Sequence, residues 1–165
     1  MIALRPWTHD DLWLLQATLG DPAMMQHLGG IESAEQIVLR NHRYTNSSDM
    51  FTVWDGDVVV GKVGFWERTW HDEAVYEAGW AILPKYAGRG FATQAARAVV
   101  SLARDERKHR FMHAFPNIEN MASNAVCRNA GFINLGECMF EYPKGNWMRC
   151  NDWSIDLALE IRQRS

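Results

Sequence analysis

One carboxylate stands within an apolar stretch of the chain. Residues 75–83 are apolar, aromatic or glycine, apart from Glu77. The residues that would share its strand face are Val75, Gly79, Ala81 and Leu83. Such surroundings disfavour the charged carboxylate and raise its pKa towards neutrality, where it can accept a proton from an ammonium group. Glu77 is therefore a candidate general base. An ion pair with a neighbouring arginine and exposure at a strand end are the alternatives.

A glycine-containing loop, Gly88-Arg89-Gly90, follows this stretch. Pro84 cannot continue a strand ladder, and glycine lets the backbone turn tightly and approach a ligand. Apolar residues at positions 92, 95, 96, 99, 100 and 103 then predict an amphipathic helix. Open N–H groups at a helix N-terminus favour a phosphate or pyrophosphate, and Arg89 adds a positive charge. The alternative is a plain strand-to-helix turn.

Two other phosphate-binding motifs are excluded at this loop. A Walker loop requires Gly-Lys-Ser/Thr, which the chain lacks here. The dinucleotide-binding fingerprint requires a third glycine, and Thr93 occupies that position. The loop therefore needs a different comparison.

Residues 83–93, Leu-Pro-Lys-Tyr-Ala-Gly-Arg-Gly-Phe-Ala-Thr, resemble the coenzyme A pyrophosphate loop of the GNAT superfamily of N-acetyltransferases. The pattern of that loop is Gln/Arg-x-x-Gly-x-Gly/Ala. Gly90 and Ala92 match its last two fixed positions, whereas Ala87 replaces the usual Gln or Arg. The replacement weakens one side-chain role but leaves the backbone cradle.

Further blocks are similar to the GNAT branch that contains the ribosomal-protein N-terminal acetyltransferases. Asn120-Met-Ala-Ser123, followed by Gly131-Phe132, is similar to the Asn-x-x-Ser and Gly-Phe block of that branch. Leu4-Arg-Pro, Asp10-Asp-Leu and the run from Asp21 to Gly30 fit it as well. The similarity spans nearly the whole chain.

The resemblance implies a fold and an activity. The expected fold is α/β: a single GNAT-type domain over residues 1–165, with a mixed, mostly antiparallel seven-stranded sheet flanked by about four helices. The implied enzyme is an acyltransferase that moves an acetyl group from acetyl-CoA to a primary amine, such as a protein N-terminus, within a ternary complex. The alternatives are a transferase for a small-molecule amine (an antibiotic or polyamine) and a non-catalytic acyl-CoA-binding regulator.

The resemblance also implies roles for individual residues. Glu77 is the base, directly or through a water, and Ser123 lies near the thioester sulfur as the second catalytic residue. The family's tyrosine seven residues after the asparagine is Cys127 here, so Ser123, a water or an acceptor-side tyrosine remain open as the general acid. The expected cofactor-binding residues are Ile82, Leu83, Gly88, Arg89, Gly90, Phe91, Ala92, Thr93, Asn120 and Ser123. From its residue type alone, Asn120 is also a helix N-cap.

Composition restricts the partners. The net charge is −3 and no block of Lys or Arg occurs, which argues against nucleic acid. No apolar run approaches the roughly 20 residues of a membrane span, and the N-terminus lacks a signal-peptide pattern, so we expect a cytoplasmic protein that does not bind a membrane. The three cysteines have no CxxC spacing, and no metal site is predicted. A monomer and a homodimer both remain open.

The predicted elements are strand 1–7, helices 8–20, 23–28 and 33–43, strands 50–54, 58–66 and 75–83, helix 90–105, strand 111–115, helix 120–129, and strands 132–142 and 147–157. Residues 67–74 are predicted as a turn. Five tryptophans on or next to these strands are either core residues or the lining of an acceptor cleft: Trp66, Trp70, Trp80, Trp147 and Trp153. His109 and His113 have a helical metal spacing but fall in a strand and its lead-in, so we do not expect them to share a ligand.

Overall fold

The computed structural model describes residues 1–159. Within that range the strands are β1 (Ala3–Pro6), β2 (Met50–Asp55), β3 (Val58–Trp70), β4 (Glu73–Ile82), β5 (Phe111–Ala114), β6 (Ile133–Glu141) and β7 (Trp147–Asp156). The α-helices are α1 (Leu12–Leu19), α2 (Ala34–Thr45), α3 (Phe91–Glu106) and α4 (Met121–Asn129). None of these helices is long and apolar enough to cross a membrane.

All seven strands belong to one sheet, in the order β1-β2-β3-β4-β5-β7-β6. Every neighbouring pair is antiparallel except β4 and β5, which are parallel. The crossover between those two strands is α3. This arrangement confirms the predicted α/β fold with a mixed, mostly antiparallel seven-stranded sheet and four helices.

The two faces of the sheet are covered by different helices. On one face, the buried side of α3 packs against residues such as Val63, Phe65, Tyr76 and Ala78 of β3 and β4. The predicted stripe of α3 is buried, and its alanines let the helix approach the sheet closely. On the other face, Leu14 and Leu15 of α1 and Ile37 of α2 pack with Trp66 and Leu83. We call this second side the α1/α2 face.

Local signals in the sequence place several element ends correctly. Ser33 and Gln36 form the predicted capping box of α2: the Ser33 N–H donates to Gln36 Oε1 over 2.8 Å and the Gln36 N–H donates to Ser33 Oγ over 3.2 Å. The Asp11 carboxylate accepts the Thr8 N–H over 2.7 Å. The predicted hairpin between β2 and β3 forms around Gly56, whose φ is +59°.

The prediction of a turn over residues 67–74 is wrong. β3 continues to Trp70 and β4 begins at Glu73, with Arg68 paired to Val75 and Thr69 to Ala74. Only His71 and Asp72 form the turn, with φ values of 49° and 62°. The charged and polar side chains of this segment are typical of a loop, which is why the sequence predicted one. The segment is nevertheless a strand, because it pairs with β4 beyond the point where β2 ends.

The predicted helix over residues 23–28 is also absent. This segment is a series of turns in which Met25 N–H donates to Asp21 O and Gly30 N–H donates to Met25 O. Gly29 and Gly30 have φ values of 82° and 93° and stop any helical continuation. The buried Met25 anchors the segment, so tertiary packing rather than helical hydrogen bonding holds it.

β4 and β5 separate soon after they meet. Their ladder consists of the pairs Tyr76–Met112 and Glu77–His113, and β5 ends at Ala114, just before Phe115 and Pro116. β4 continues to Ile82 on its β3 side. The sheet therefore splits at its centre, beyond Glu77.

Candidate active site

The loop after β4 is a cradle of backbone donors. Gly88 and Gly90 have φ values of 76° and 80°, a conformation that favours glycine. The first backbone bond of α3 runs from the Gln94 N–H to Gly90 O over 3.1 Å. The N–H groups of residues 88–93 have no acceptor elsewhere in residues 1–159. These consecutive donors stand at the positive end of the 16-residue helix α3 and form a site for an anion.

Side chains around the cradle divide into structural and exposed ones. Phe91 is buried in the core under α3, so it can contribute only its N–H to a ligand. Ala92 and Thr93 are half-buried in the first turn. Arg89 is exposed, stacks on the Phe91 ring at 4.9 Å and lies 3.9 Å from Asp55. A guanidinium held this loosely remains available to a phosphate.

The splayed end of β4 presents an open backbone edge. The Leu83 N–H donates to Val60 O over 2.8 Å, and alternation of the antiparallel ladder then turns the N–H and C=O of Trp80 and Ile82 away from β3. β5 has already ended there, so no strand in residues 1–159 pairs with this edge. An extended ligand can add to it as a strand would.

Leu83 does not belong to that edge, although the sequence resemblance included it. Its N–H is used by Val60, its C=O accepts the Tyr86 N–H over 2.9 Å, and its side chain is buried against α1 and α2. Trp80, which sequence reasoning treated only as an aromatic side chain, provides the backbone groups instead. The alternation of hydrogen bonds along β4 decides this, and it depends on the register with β3.

Asn120 and Ser123 lie together at the start of α4. Asn120 is the N-cap, and its Oδ1 accepts the Ser123 N–H over 3.1 Å. The amide nitrogen of Asn120 has no acceptor within residues 1–159, so a capping role leaves it able to donate to a ligand. Asn124 holds this turn in place because its Nδ2 donates to the carbonyl oxygens of Asn117 and Asn120, over 3.0 and 2.8 Å.

Glu77 lies on the α1/α2 face, held by two donors. Trp66 Nε1 and Arg68 Nη1 both donate to its Oε2, each over 3.0 Å. Oε1 accepts no hydrogen bond from the described residues. The ion pair of Glu77 with a neighbouring arginine, which was an alternative from the sequence, is therefore present. It involves only Oε2 of the carboxylate. The Trp66 ring lies over Gly79, where a Cβ would stand 2.9 Å from Trp66 Cη2, so Gly79 makes room for that indole.

Burial raises the pKa of Glu77, whose side chain is 12% exposed. The positive charge of Arg68 and the hydrogen bonds from Trp66 and Arg68 oppose that rise and leave the pKa above its ordinary value. A carboxylate with a raised pKa and one oxygen without a partner in the described chain can accept a proton from an amine. His113, the β5 partner of Glu77, pairs with Asp152 over 2.6 Å on the same face.

A second cluster of charged and aromatic side chains surrounds Arg40 of α2. Arg40 of α2 forms an ion pair with Glu32 and donates to Tyr142 Oη over 3.3 Å, which ties α2 to the end of β6. Its guanidinium also lies 5.9 Å from the Tyr44 ring centroid. Glu32 and Tyr44 are close to Arg40 in the chain, whereas the contact with Tyr142 forms only because α2 meets the β6–β7 hairpin.

The five tryptophans considered from the sequence lie in three different environments. Trp66 contacts Glu77, and Trp70 donates to Asp152 over 3.1 Å on the α1/α2 face. Trp80 and Trp153 pack in the core under α3, and Trp147 is exposed. The acceptor-cleft interpretation therefore fits Trp66 and Trp70, and the core interpretation fits Trp80 and Trp153.

Cys127 is a core residue, and the histidines do not gather into a metal-binding group within residues 1–159. Cys127 is fully buried, and burial raises the pKa of its thiol to about 12. His109 pairs with Glu67 over 2.7 Å, away from the His113–Asp152 pair. Within residues 1–159, no group of three or more His, Cys, Asp or Glu side chains is arranged to hold a metal ion.

A cavity of about 380 Å³ is lined by Ser48, Asp49, Phe65, Trp66, Glu67, Tyr76, Glu106 and Lys108. Two of its three carboxylates have partners: Glu106 accepts from Tyr76 Oη, and Glu67 from Lys108 and His109. It includes neither Glu77 nor the glycine loop. We therefore take the open edge of β4 and the α1/α2 face, rather than this cavity, as the candidate site.

The chain matches a known family model and a curated relative in sequence. The sequence profile of the Acetyltransferase (GNAT) domain matches residues 2–133. The chain is also similar to YnaD, an uncharacterized N-acetyltransferase of Bacillus subtilis (strain 168), with 28% identity over 115 residues. That match spans 70% of this chain and 66% of the relative.

Solved structures share the fold over nearly their whole length. A GNAT-family acetyltransferase from Bacillus anthracis has a TM-score of 0.81 at 23% identity, covering 96% of both chains. Aminoglycoside acetyltransferase AAC(6')-Ib in complex with coenzyme A has a TM-score of 0.78 at 15% identity, covering 94% of this chain and 95% of that one. The Salmonella typhimurium enzyme that modifies the N-terminal serine of ribosomal protein L7/L12 has a TM-score of 0.75 at 20% identity, covering 94% of both.

At these identities the structures establish the fold, and the profile match establishes the family. The match covers the four α-helices and the five strands β1–β5 in the observed order, and it ends at the first residue of β6. It includes the glycine loop and the start of α4. The prediction of an acetyl-CoA-dependent acyltransferase domain is thus confirmed: the chain belongs to the GNAT family of acetyltransferases.

Proposed function

We propose that this chain transfers the acetyl group of acetyl-CoA directly to a primary amine, with both substrates bound together. The observation that carries the proposal is the run of unpaired N–H groups over residues 88–93, at the N-terminus of α3 and next to the open edge of β4. A CoA thioester fits both features, because its pyrophosphate can bind the loop and its extended pantetheine arm can lie along β4. The location proposed is the cytoplasm, as a monomer or homodimer.

The donor occupies three neighbouring features. Its pyrophosphate accepts from the backbone of residues 88–93, with Arg89 supplying a further positive charge. Its pantetheine arm pairs with the backbone of Trp80 and Ile82 and accepts from the Asn120 amide at the start of α4. The arm then runs from the loop towards Glu77, which lies five residues before Ile82, or about 17 Å along the strand.

Glu77 removes the proton from the acceptor ammonium, directly or through a water. The neutral amine attacks the thioester carbonyl carbon, the carbonyl oxygen takes the negative charge, and the carbon–sulfur bond breaks as that oxyanion collapses. An N–H on the open edge, such as that of Trp80, stabilises the oxyanion. The nitrogen bonded to the acetyl carbon loses its second proton, and Ser123 or a water relays that proton to the departing thiolate. Holding the two reactants in line supplies a large part of the rate.

The proposed acceptor class includes a protein N-terminus. The fold that this chain shares with the L7/L12-modifying enzyme supports a protein acceptor, and its similarity to AAC(6')-Ib supports a small amine. The charges on the α1/α2 face distinguish these further, as argued below.

Isothermal titration with acetyl-CoA tests the donor site. Gly90→Glu places a carboxylate in the anion cradle, whereas the control Gly145→Glu changes a glycine of similar φ, 88° against 80°, in the hairpin between β6 and β7. Both positions have open space around an added Cβ, so the backbone strain is matched. We expect micromolar binding to the native protein and to Gly145→Glu, and loss of binding in Gly90→Glu. Equal binding by all three would contradict the proposed site.

Glu77→Gln separates an enzyme from a non-catalytic acyl-CoA-binding regulator. Glutamine keeps the shape and can still accept from Trp66 and Arg68, but it cannot take the proton. We expect kcat to fall about 10²- to 10⁴-fold while acetyl-CoA affinity stays unchanged. Turnover is followed by release of free CoA thiol in the presence of an amine. An unchanged kcat would remove Glu77 from the mechanism.

A further inference from the structure

The guanidinium of Arg68 is fixed beside the candidate base. Its Nη1 donates to Glu77 Oε2 over 3.0 Å, and its central carbon lies 4.4 Å from the Phe140 ring centroid and 5.8 Å from that of Phe115. Stacking on aromatic rings fixes the plane of the guanidinium. Arg68 therefore holds a defined orientation on the α1/α2 face.

The other edge of this guanidinium has no protein partner. No acceptor in residues 1–159 takes a hydrogen from Nε or Nη2, and Nε is a buried side-chain donor without a hydrogen bond. Nε and Nη2 together form the side-on edge that binds a carboxylate through two parallel hydrogen bonds. Buried unpaired donors are rare and call for a reason, and a ligand is one. The Arg68 side chain is 32% exposed and Nη2 is not among its buried atoms, so a ligand reaches this edge at Nη2, whereas Nε lies behind it.

The surrounding charges do not favour a polycation. Glu77 pairs with Arg68, Glu32 pairs with Arg40, and Asp152 pairs with His113 and accepts from Trp70. Each carboxylate of this face thus already has a partner.

One further cation adds to this balance. Lys62, near the Tyr44 ring at 5.6 Å, forms no ion pair with any carboxylate of the described chain. Counted without His113, the cations Arg40, Arg68 and Lys62 equal the three carboxylates in number, so this face has no excess negative charge, whereas a site for an aminoglycoside or polyamine needs it.

We propose that the acceptor is a primary amine that carries a carboxylate on the same molecule, with the amine at Glu77 and the carboxylate on the Nε/Nη2 edge of Arg68. This inference rests on the function proposed above. Such a zwitterion matches the Glu77–Arg68 ion pair charge for charge. The carboxylate is that of a free amino acid or of an acidic side chain near a peptide N-terminus.

The test compares acceptors that differ only at the carboxylate. Glycine is paired with glycinamide, and the amidated dipeptide Gly-Asp with Gly-Asn, with kanamycin and spermidine as polycations. kcat/KM is expressed per concentration of unprotonated amine, because an amide lowers the pKa of the neighbouring amine. In at least one of the two pairs, we expect kcat/KM to be at least tenfold higher for the acid than for its amide. We expect low kcat/KM for kanamycin and spermidine. The pair that shows this preference for the acid identifies the source of the carboxylate.

Arg68→Gln isolates the role of the guanidinium. Glu77 loses a partner, so kcat falls for acid and amide alike, but the ratio between them falls to about one only if Arg68 binds the carboxylate. Arg110→Gln is the control, because Arg110 also pairs with a carboxylate, Asp156, but is exposed away from this face. It should keep the ratio of the native protein. Thermal melting and acetyl-CoA affinity confirm that both variants are folded.

The outcomes separate this inference from the proposed function. Turnover with no preference for the acid, a preference for a polycation, or an unchanged ratio in Arg68→Gln would each overturn the zwitterionic acceptor and leave acetyl transfer standing. Failure to release thiol with every amine, despite acetyl-CoA binding, would overturn acetyl transfer and the acceptor inference together.

Discussion

Asn124 is a polar residue whose replacement is expected to destabilise the fold. It is 8% exposed and uses both groups of its amide. Nδ2 donates to the carbonyls of Asn117 and Asn120, while Oδ1 accepts from Asn151 Nδ2 over 2.8 Å and from Trp153 Nε1 over 2.9 Å. One side chain therefore joins the start of α4 to β7.

The cost of Asn124→Ala follows from the partners it leaves behind. The Asn120 carbonyl keeps the helical bond from the residue 124 N–H, 3.1 Å long, so it is not orphaned. Trp153 is only 4% exposed, and its unpaired indole N–H costs about 1–3 kcal/mol. The bonds to Asn117 and Asn151 are partly buried and contribute about 0.5–1.5 kcal/mol each. We expect a loss of about 3 kcal/mol, or a Tm lower by about 6–12 °C for a domain of this size.

Urea unfolding and thermal melting followed by circular dichroism measure the loss. Asn129→Ala is the matched control, because it lies in the same helix, is exposed, and its side chain makes no hydrogen bond within residues 1–159. Any gain in helix propensity from alanine is common to both variants. A difference of less than about 1 kcal/mol between them would refute the assignment of these bonds as stabilising.

Other predictions concern the chemistry. The pH profile of activity should rise with an apparent pKa above the ordinary glutamate value, because burial raises the pKa of Glu77 and the base must be ionised. An apparent pKa at or below the ordinary value for this rising limb would contradict the assignment. Arg68→Gln should move the limb to higher pH, because the positive charge that lowers this pKa is lost, and pH profiles of kcat/KM for both proteins measure the shift. Trp66→Phe should move it in the same direction by removing one donor to Oε2. Cys127→Ala should change kcat by less than about tenfold, whereas loss of a true general acid would cost about 100-fold or more.

The sequence predicted most of the elements because their signals are local. The stripe of α3, the capping box at Ser33, and the glycine turn at Gly56 act over a few residues and survive in any tertiary context. The errors fall where packing overrides composition. β3 extends past β2 through polar residues, and the segment around Met25 is held by burial rather than by helical bonds.

The candidate site divides in the same way. The anion cradle was visible because glycine spacing and the helix stripe are adjacent in the chain, and Glu77 was visible as a lone carboxylate among apolar residues. The pairing of Arg68 with Glu77 depends on the register of β3 with β4, across nine residues. The unpaired edge of β4 depends on where β5 ends, far along the chain.

The sequence by itself determined the family, the order of most elements and the glycine loop before α3, because helix periodicity, capping and glycine conformation are short-range properties of the chain. The tertiary structure alone decided which backbone groups face the split in the sheet, which oxygen of Glu77 is left for a substrate, and which arginine edge stands beside it. Those features arise from strand register and from side chains meeting across the sheet, and no local pattern encodes such contacts.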